Sequence, residues 1–156
     1  MMEIVFLWPG KTKNPHYKAL QADYLEKIER LVRARIIETS ETRGLEEKWA
    51  EKILEKEARG LEKHLKDGYI ICLSDKGEQM NSKELAKLIE DKALKSGKKL
   101  VFLVGGFLGL APRIAACADF CLSLSAMTFS HELARIMVLE QVYRSLCIIK
   151  GHSYPK

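Results

Sequence analysis

Three loops of the chain carry the residues best suited to bind a ligand. Each loop follows a short apolar run, and the loops cover residues 74–77, 105–109 and 125–129. In an open parallel sheet, ligands bind at the carboxyl ends of the strands. Gly105 and Gly106 would let the backbone approach a ligand closely because they have no Cβ, although a plain turn explains the same glycines. The three loops together predict a binding pocket at one edge of a sheet.

Charged and titratable side chains lie on the last predicted helix. His131 and Arg135 are four residues apart and can share one face of it. His131 could cap the helix or bond a neighbouring loop, and we favour that structural role. Arg135 is the better candidate for contact with a phosphate or base, because its guanidinium donates charged hydrogen bonds. Glu140 and Arg144 have the same spacing, which predicts an ordinary helix ion pair.

Several familiar catalytic and nucleotide-binding motifs are absent from the sequence. It contains no GxGxxG fingerprint, no P-loop, no HExxH and no GxSxG, which disfavours a Rossmann-type nucleotide enzyme. The cysteines form no CxxC pair, so we expect no metal site and interpret them as reduced, buried, small hydrophobic residues. They are Cys72, Cys117, Cys121 and Cys147.

The composition indicates one soluble domain with a basic surface. The chain has 156 residues, of which 47% are hydrophobic and 30% are charged, and its net charge is +5. This charge suits a polyanionic partner such as RNA, although many proteins with the same charge bind no nucleic acid. No run approaches the roughly 20 apolar residues of a membrane span, and the N-terminus lacks the basic region of a signal peptide. We expect a cytoplasmic protein without a membrane partner.

Short apolar runs alternate with amphipathic stretches, which is typical of an α/β domain with a mostly parallel sheet. The predicted strands cover residues 4–7, 36–37, 69–73, 100–104 and 120–124. The predicted helices cover residues 16–32, 45–65, 81–96 and 130–146, with a polar loop from 74 to 81. Asn81 and Glu84 have the spacing of a capping box. The sequence contains no linker composition and no repeat, so we expect residues 1–156 to form one domain.

The final predicted helix is apolar on most of its sides, and such a helix needs burial beyond one face of a sheet. Its apolar residues are Leu133, Ile136, Met137, Val138, Leu139, Val142 and Leu146. We expect the excess apolar surface to form the interface of a symmetric homodimer. Because one small domain offers limited surface to a folded RNA, we also expect each site to take RNA contacts from both subunits.

The C-terminal third carries the most specific pattern in the sequence. Residues 122–131 read LSLSAMTFSH, and Arg135 and the run EQVYR at 140–144 follow them. Together with GGFLGL at 105–110 and Pro-Gly-Lys at 9–11, this pattern resembles the RlmH family of SPOUT methyltransferases. The resemblance covers essentially the whole chain.

The resemblance implies a SPOUT fold, in which the C-terminal part of a mostly parallel α/β sheet forms a deep trefoil knot and two chains form a homodimer. It also implies that S-adenosylmethionine binds in the knot, held mainly by backbone groups of the three loops. The positions carried over are Leu73, Gly105, Leu124, Ser125, Ala126, Met127, Thr128 and Phe129. The family's substrate is a pseudouridine of 23S ribosomal RNA, methylated at N3 on assembled ribosomes, so ribosomal RNA is the expected partner.

The C-terminal tail departs from the family pattern, which usually ends in Tyr-His-Lys or Tyr-His-Arg. Tyr154 matches the tyrosine, so the resemblance implies that it lies over the cofactor's methyl group and positions the target base. Pro155 stands where the family has histidine, His152 could replace that histidine, and Ser74 replaces a usual acidic residue. The expected catalytic residues are Tyr154, Arg135 and His152. The alternatives are a methyltransferase for another RNA and a non-catalytic protein that binds RNA or the ribosome.

Overall fold

The computed structural model describes residues 2–42 and 47–154. Its strands form a single sheet in which every neighbouring pair is parallel, in the order β2-β1-β4-β3-β5. The strands are β1 (Glu3–Pro9), β2 (Arg33–Thr39), β3 (Gly68–Gln79), β4 (Lys99–Leu103) and β5 (Phe120–Ser123). The helices are α1 (Pro15–Glu29), α2 (Ala50–Glu62), α3 (Ser82–Ile89), α4 (Pro112–Ala115) and α5 (His131–Lys150). The predicted α/β class with a mostly parallel sheet is confirmed.

Helices cover both faces of the sheet. Alternate residues of β1 point to opposite faces, so each set packs against a different group of helices. Ile4, Phe6 and Trp8 pack in a core with residues of α1, α3 and α5. Val5 and Leu7 pack on the other face with residues of α2 and α4. All five side chains are at most 1% exposed. Burial on both faces explains why the central strands β1 and β4 are almost wholly apolar.

Strand β3 is longer than the sequence predicts. The predicted polar loop from 74 to 81 is wrong, since β3 continues to Gln79. Leu73 and Glu78 both lie opposite Leu122 of β5, so residues 74–77 bulge out of the ladder before pairing resumes. The side chains beyond Leu73 are exposed or half-buried, so polar residues are tolerated there. Hydrophobic periodicity therefore did not identify this part of the strand.

The helix boundaries agree with the predictions at some ends and differ at others. The capping box of α3 is confirmed, because Asn81 Oδ1 accepts from the Glu84 N–H at 2.9 Å and Glu84 Oε2 accepts from the Asn81 N–H at 2.7 Å. Helix α5 is longer than predicted and ends where Gly151 adopts a φ of 70°. In place of the predicted helix 45–65 there are a 3-10 turn at Glu47–Trp49 and helix α2, and residues 45 and 46 lie outside the described part.

Helix α5 packs against both α1 and α3, and most of its apolar residues are covered within one chain. Leu139, Val142 and Leu146 are at most 1% exposed, whereas Met137 is 37% exposed. The expected excess of apolar surface on this helix is therefore wrong, because neighbouring helices of the same chain cover it. A homodimer stays a prediction that depends on the family resemblance.

Candidate functional site

The bulge at residues 74–77 of β3 and the loops that follow β4 and β5 line one cavity of about 590 Å³. Seven of the residues expected to bind the cofactor line it, namely Leu73, Gly105, Leu124, Ser125, Met127, Thr128 and Phe129. Ala126 belongs to the same loop and is not among the lining residues. A volume of this size is within the range of small-molecule and cofactor sites. The parallel sheet thus brings three distant loops to one edge, as such sheets commonly do.

The loop after β4 folds back so tightly that no side chain fits at its first position. A Cβ built on Gly105 would lie 2.7 Å from the carbonyl carbon of Gly109, closer than real Cβ contacts. The Gly109 N–H donates to the Gly106 carbonyl at 3.0 Å, and Gly109 has a φ of 80° that favours glycine. The backbone of this loop therefore forms the cavity wall directly.

Side-chain hydrogen bonds fix the loop after β5 to strand β3. Ser123 Oγ donates to the Ser125 carbonyl at 2.9 Å, and the Met127 N–H donates to Ser125 Oγ at 3.0 Å. Thr128 Oγ1 donates to Asp75 Oδ2 at 3.3 Å. Asp75 also lines the cavity, so a carboxylate is present one residue after Ser74, where the family usually has an acidic residue.

The rim of the cavity is apolar and includes a histidine. Phe107 and Met127 are 73% and 74% exposed, which is unusual for side chains of this size. His131 lies edge-on to the Phe107 ring, with 6.5 Å between ring centroids. Burial and the nearby Arg135 cation lower the pKa of His131 below its usual value of 6.5, so its imidazole is mainly neutral at pH 7. Ser130, not His131, caps helix α5, because its Oγ accepts from the Leu133 N–H.

Arg135 points into the protein interior, away from solvent. It is 1% exposed, and its guanidinium lies 4.9 Å above the Trp8 ring. Its Nη2 donates to the Pro9 carbonyl at 2.8 Å, and its Nη1 donates to Thr12 Oγ1 at 3.0 Å. Burial lowers the pKa of Arg135 to about 10, so it remains a cation at neutral pH. Because its Nη1 and Nη2 are bound to Thr12 and Pro9, Arg135 has no exposed end for an RNA phosphate or base within one chain, and its expected catalytic role stays a prediction.

Glu38 at the edge strand β2 completes the network around this arginine. Its Oε2 accepts from Trp8 Nε1 at 3.0 Å and from the Thr12 N–H at 3.0 Å, and lies 4.0 Å from Arg135 Nη1. Burial acts to raise the pKa of Glu38, but the hydrogen bonds from Trp8 and Thr12 outweigh it and lower the pKa. Glu38, Trp8 and Thr12 could not be found from the sequence, because no motif or periodicity joins Glu38 to residues 26 or more positions away.

The described tail residues, His152 and Tyr154, do not line the cavity of their own chain. The Tyr154 hydroxyl donates to Glu140 Oε1 at 2.8 Å, and burial together with this hydrogen bond raises the pKa of the phenol to about 12. Arg144 Nη2 donates to the same oxygen at 2.6 Å, so the predicted ion pair is confirmed. His152 is exposed, and Pro155 lies outside the described residues. Tyr154 therefore does not reach the cavity of its own chain, and the expectation that it lies over the cofactor stays a prediction.

The remaining expectations concern the burial of the cysteines, metal binding and membrane-spanning helices. Cys72 and Cys147 are buried as predicted, but Cys117 and Cys121 are exposed, which corrects the expectation that all four are buried. No group of three or more metal-ligating side chains occurs in residues 2–42 and 47–154. Within the same ranges, no helix has the length and apolar character needed to cross a bilayer.

Comparison with known proteins gives both a sequence family and a fold. Residues 2–155 match the family described as Predicted SPOUT methyltransferase. The ribosomal RNA large subunit methyltransferase H of Carboxydothermus hydrogenoformans is 38% identical, over 99% of this chain and 100% of the relative. The protein of that name from Clostridium kluyveri is 36% identical over the same shares of the two chains.

Solved structures share the fold at low identity. A protein from Haemophilus influenzae described as a probable methylase family protein gives a TM-score of 0.57 at 12% identity, over 99% of this chain and 70% of that chain. A Legionella pneumophila protein, solved in complex with the cofactor SAM, gives 0.52 at 14% identity, over 92% and 66%. The chain belongs to the ribosomal RNA large subunit methyltransferase H (RlmH) family of SPOUT methyltransferases.

Proposed function

We propose that the protein transfers a methyl group from S-adenosylmethionine to N3 of a pseudouridine in large-subunit ribosomal RNA. The full-length relatives are named as ribosomal RNA methyltransferases, and the net charge of +5 suits an RNA partner. The observation that carries the proposal is the convergence of the three family loops on one cavity. A ribosomal substrate places the reaction in the cytoplasm.

The residues of the cavity fit such a cofactor. Leu73, Leu124 and Phe129 provide apolar walls for an adenine ring, and the tight loop at Gly105 exposes backbone groups that can hold it. The Asp75 carboxylate suits the positive charge of S-adenosylmethionine. When bound, this cofactor supplies a methyl group that its sulfonium centre has already activated.

Methyl transfer to N3 would break the carbon–sulfur bond of the cofactor, and the N3 proton would pass to a neighbouring base or to water. The main task of the chain is then to align the base with the methyl group, which can supply much of the rate. The neutral imidazole of His131 at the rim can accept a hydrogen bond from the base. Arg135 is a positioning residue, because it holds the segment of Pro9 and Thr12 beside that rim.

Tyr154 and His152 do not line the cavity of their own chain, so we propose that they act at the cavity of the partner subunit in a homodimer. A mixture of Tyr154→Ala and Gly105→Val chains tests this idea. Mixed dimers would contain one intact site, so the mixture should recover methylation that neither variant has alone. A lack of recovery, or a monomeric mass by light scattering at micromolar concentration, would contradict the assignment.

The activity is tested on ribosomes from a strain that lacks the gene. Purified protein and S-adenosylmethionine should add one methyl group to the large-subunit RNA, seen by mass spectrometry and as a reverse-transcriptase stop, because N3 methylation blocks pairing.

Pro155→His is expected to increase the rate of methylation, since a positioned acid–base group contributes about 10²- to 10⁴-fold. If calorimetry detects no binding of S-adenosylmethionine at millimolar concentration, the proposed function is wrong. Cofactor binding with methylation elsewhere would indicate another RNA substrate.

A further inference from the structure

A second cavity of about 290 Å³ lies directly beside the first. The two cavities share three lining residues, Gly106, Phe107 and His131. Its volume is at the lower limit for ligand sites, which suits a single nucleobase better than a whole nucleotide. Lys11 and Lys13 also line it, and both are exposed. Lys13 Nζ pairs with Glu41 Oε2 at 3.1 Å, so Lys11 is the better candidate for contact with a sugar-phosphate chain.

Two buried groups of opposite charge, Glu57 and Arg135, line this second cavity. Glu57 on α2 is 7% exposed, and a Cβ built on Gly106 would lie 3.7 Å from its Oε1, which places the carboxylate under the shared wall. Arg135 is 1% exposed, and its Nε has no hydrogen-bond partner among the residues that the structure describes. That atom has almost no accessible surface, so Arg135 contributes positive charge to the wall of the cavity and Glu57 is the group that can bond a ligand.

The electrostatics of Glu57 agree with this interpretation. Burial and the neighbouring Glu41 carboxylate raise its pKa above the usual 4.5, although the Thr42 backbone and Arg135 act in the opposite direction. The net rise means that the surrounding donors do not compensate fully for the loss of water around the carboxylate. A ligand N–H that donates to Glu57 would supply that compensation.

We propose that the second cavity binds the target base, with Glu57 accepting a hydrogen bond from its N1–H. The inference rests on the proposed function and deepens it, because it assigns the residues that select the substrate. In pseudouridine the ribose is attached to C5, so N1–H and the C2 carbonyl form a donor–acceptor pair. In uridine the ribose occupies N1 and that donor is missing. N3 lies on the other side of the C2 carbonyl, so a base held in this way can direct N3 towards the shared wall and the cofactor cavity.

The test compares ribosomes that carry pseudouridine at the target with ribosomes from cells that lack the corresponding pseudouridine synthase and carry uridine there. Glu57→Gln keeps the shape of the side chain but removes its negative charge, and Glu57→Met also removes the hydrogen-bond acceptor. Methylation of the pseudouridine substrate should fall about 5- to 20-fold in the first variant and about 20- to 200-fold in the second. Methylation of the uridine substrate should change less than about twofold, and calorimetric affinity for S-adenosylmethionine should be unchanged.

Glu55→Gln is the matched control, because Glu55 lies on the same helix but faces solvent and pairs with Arg113. It should leave both activities and the preference between substrates unchanged. Equal losses on both substrates, or no loss with Glu57→Met, would overturn the assignment. If Glu57→Met fails to fold, the Glu57→Gln comparison decides the question alone.

A binding measurement separates this inference from the proposed function. Affinity for both ribosome types is measured in the presence of S-adenosylhomocysteine, which blocks turnover. If the wild type methylates neither substrate but binds pseudouridine ribosomes more tightly in a Glu57-dependent way, the proposed function fails and the base site stands. If the wild type methylates pseudouridine and the preference persists in both Glu57 variants, the function stands and the base site is wrong.

Discussion

Replacing Arg135 with methionine should destabilise the fold more than any other single change to a charged residue near the site. Methionine keeps an unbranched apolar stem but removes a guanidinium that is 1% exposed. That group donates to the Pro9 carbonyl and to Thr12 Oγ1 and lies over the Trp8 ring. The change therefore leaves two buried acceptors and the Glu38 carboxylate without their cationic partner.

The expected loss in the free energy of unfolding follows from these contacts. Hydrogen bonds to a charged group contribute about 1.5–3 kcal/mol each, and removing one member of a buried charged pair typically costs about 3–5 kcal/mol. Glu38 retains hydrogen bonds from Trp8 and the Thr12 backbone, which limits the loss. We expect a decrease of about 3–5 kcal/mol. For a domain of this size, that corresponds to a fall in Tm of about 6–20 °C.

Urea unfolding and calorimetry measure the effect, with Arg144→Met as the control on the same helix. Arg144 forms an i,i+4 pair with Glu140 near the surface, so its loss should cost only about 0.5 kcal/mol. If Arg135→Met unfolds within about 1 kcal/mol of the wild type while methylation is lost, the structural role assigned to Arg135 is wrong. The residue would then act on the substrate, as the sequence analysis expected.

Three further predictions follow from single residues. Gly105→Val should abolish the heat of S-adenosylmethionine binding, because its Cβ would lie 2.7 Å from the Gly109 backbone; wild-type affinity in calorimetry would contradict this. Burial raises the pKa of Cys72 to about 12, so mass spectrometry after iodoacetamide treatment at pH 8 should find Cys117 modified and Cys72 intact. Hydrogen bonds from Arg144 and Tyr154 outweigh burial and lower the pKa of Glu140 below 4.5, so its contribution to stability is complete above pH 4.5. It should be lost as the pH falls through the lowered pKa, and urea titrations of wild type and Glu140→Gln should therefore converge in acid.

The strands and the cavity loops could be predicted because their signals are local. Runs such as residues 100–104 are apolar throughout, which indicates a strand buried on both faces, and β4 is such a strand. The capping box of Asn81 and Glu84 is likewise a contact between residues three positions apart. The second half of β3 was missed because its exposed residues are polar, and pairing with β5 is a property of the backbone.

The orientation of Arg135 could not be predicted because its partners are distant in sequence. Thr12 and Pro9 lie 123 and 126 positions away, and no spacing rule connects them to a helix residue. The helical spacing of His131 and Arg135 correctly indicates a shared region, since both line the second cavity. It cannot indicate whether that region faces RNA or the interior, and arginine is usually exposed. The burial of Arg135 depends on the positions of β1 and Glu38 around its guanidinium, which only the folded structure gives.

The position of Tyr154 shows why a motif match and the geometry of one chain can disagree. A motif records which residues a family retains, whereas the structure records which residues of one chain are close together. Tyr154 bonds Glu140 on α5, and its ring lies 4.9 Å from Tyr143, so its own chain holds it away from the cavity. If the tail acts at a partner's cavity, Glu140 and Tyr143 fix the direction in which the tyrosine is presented. The mixed-dimer experiment then tests whether the family motif describes a site shared by two chains.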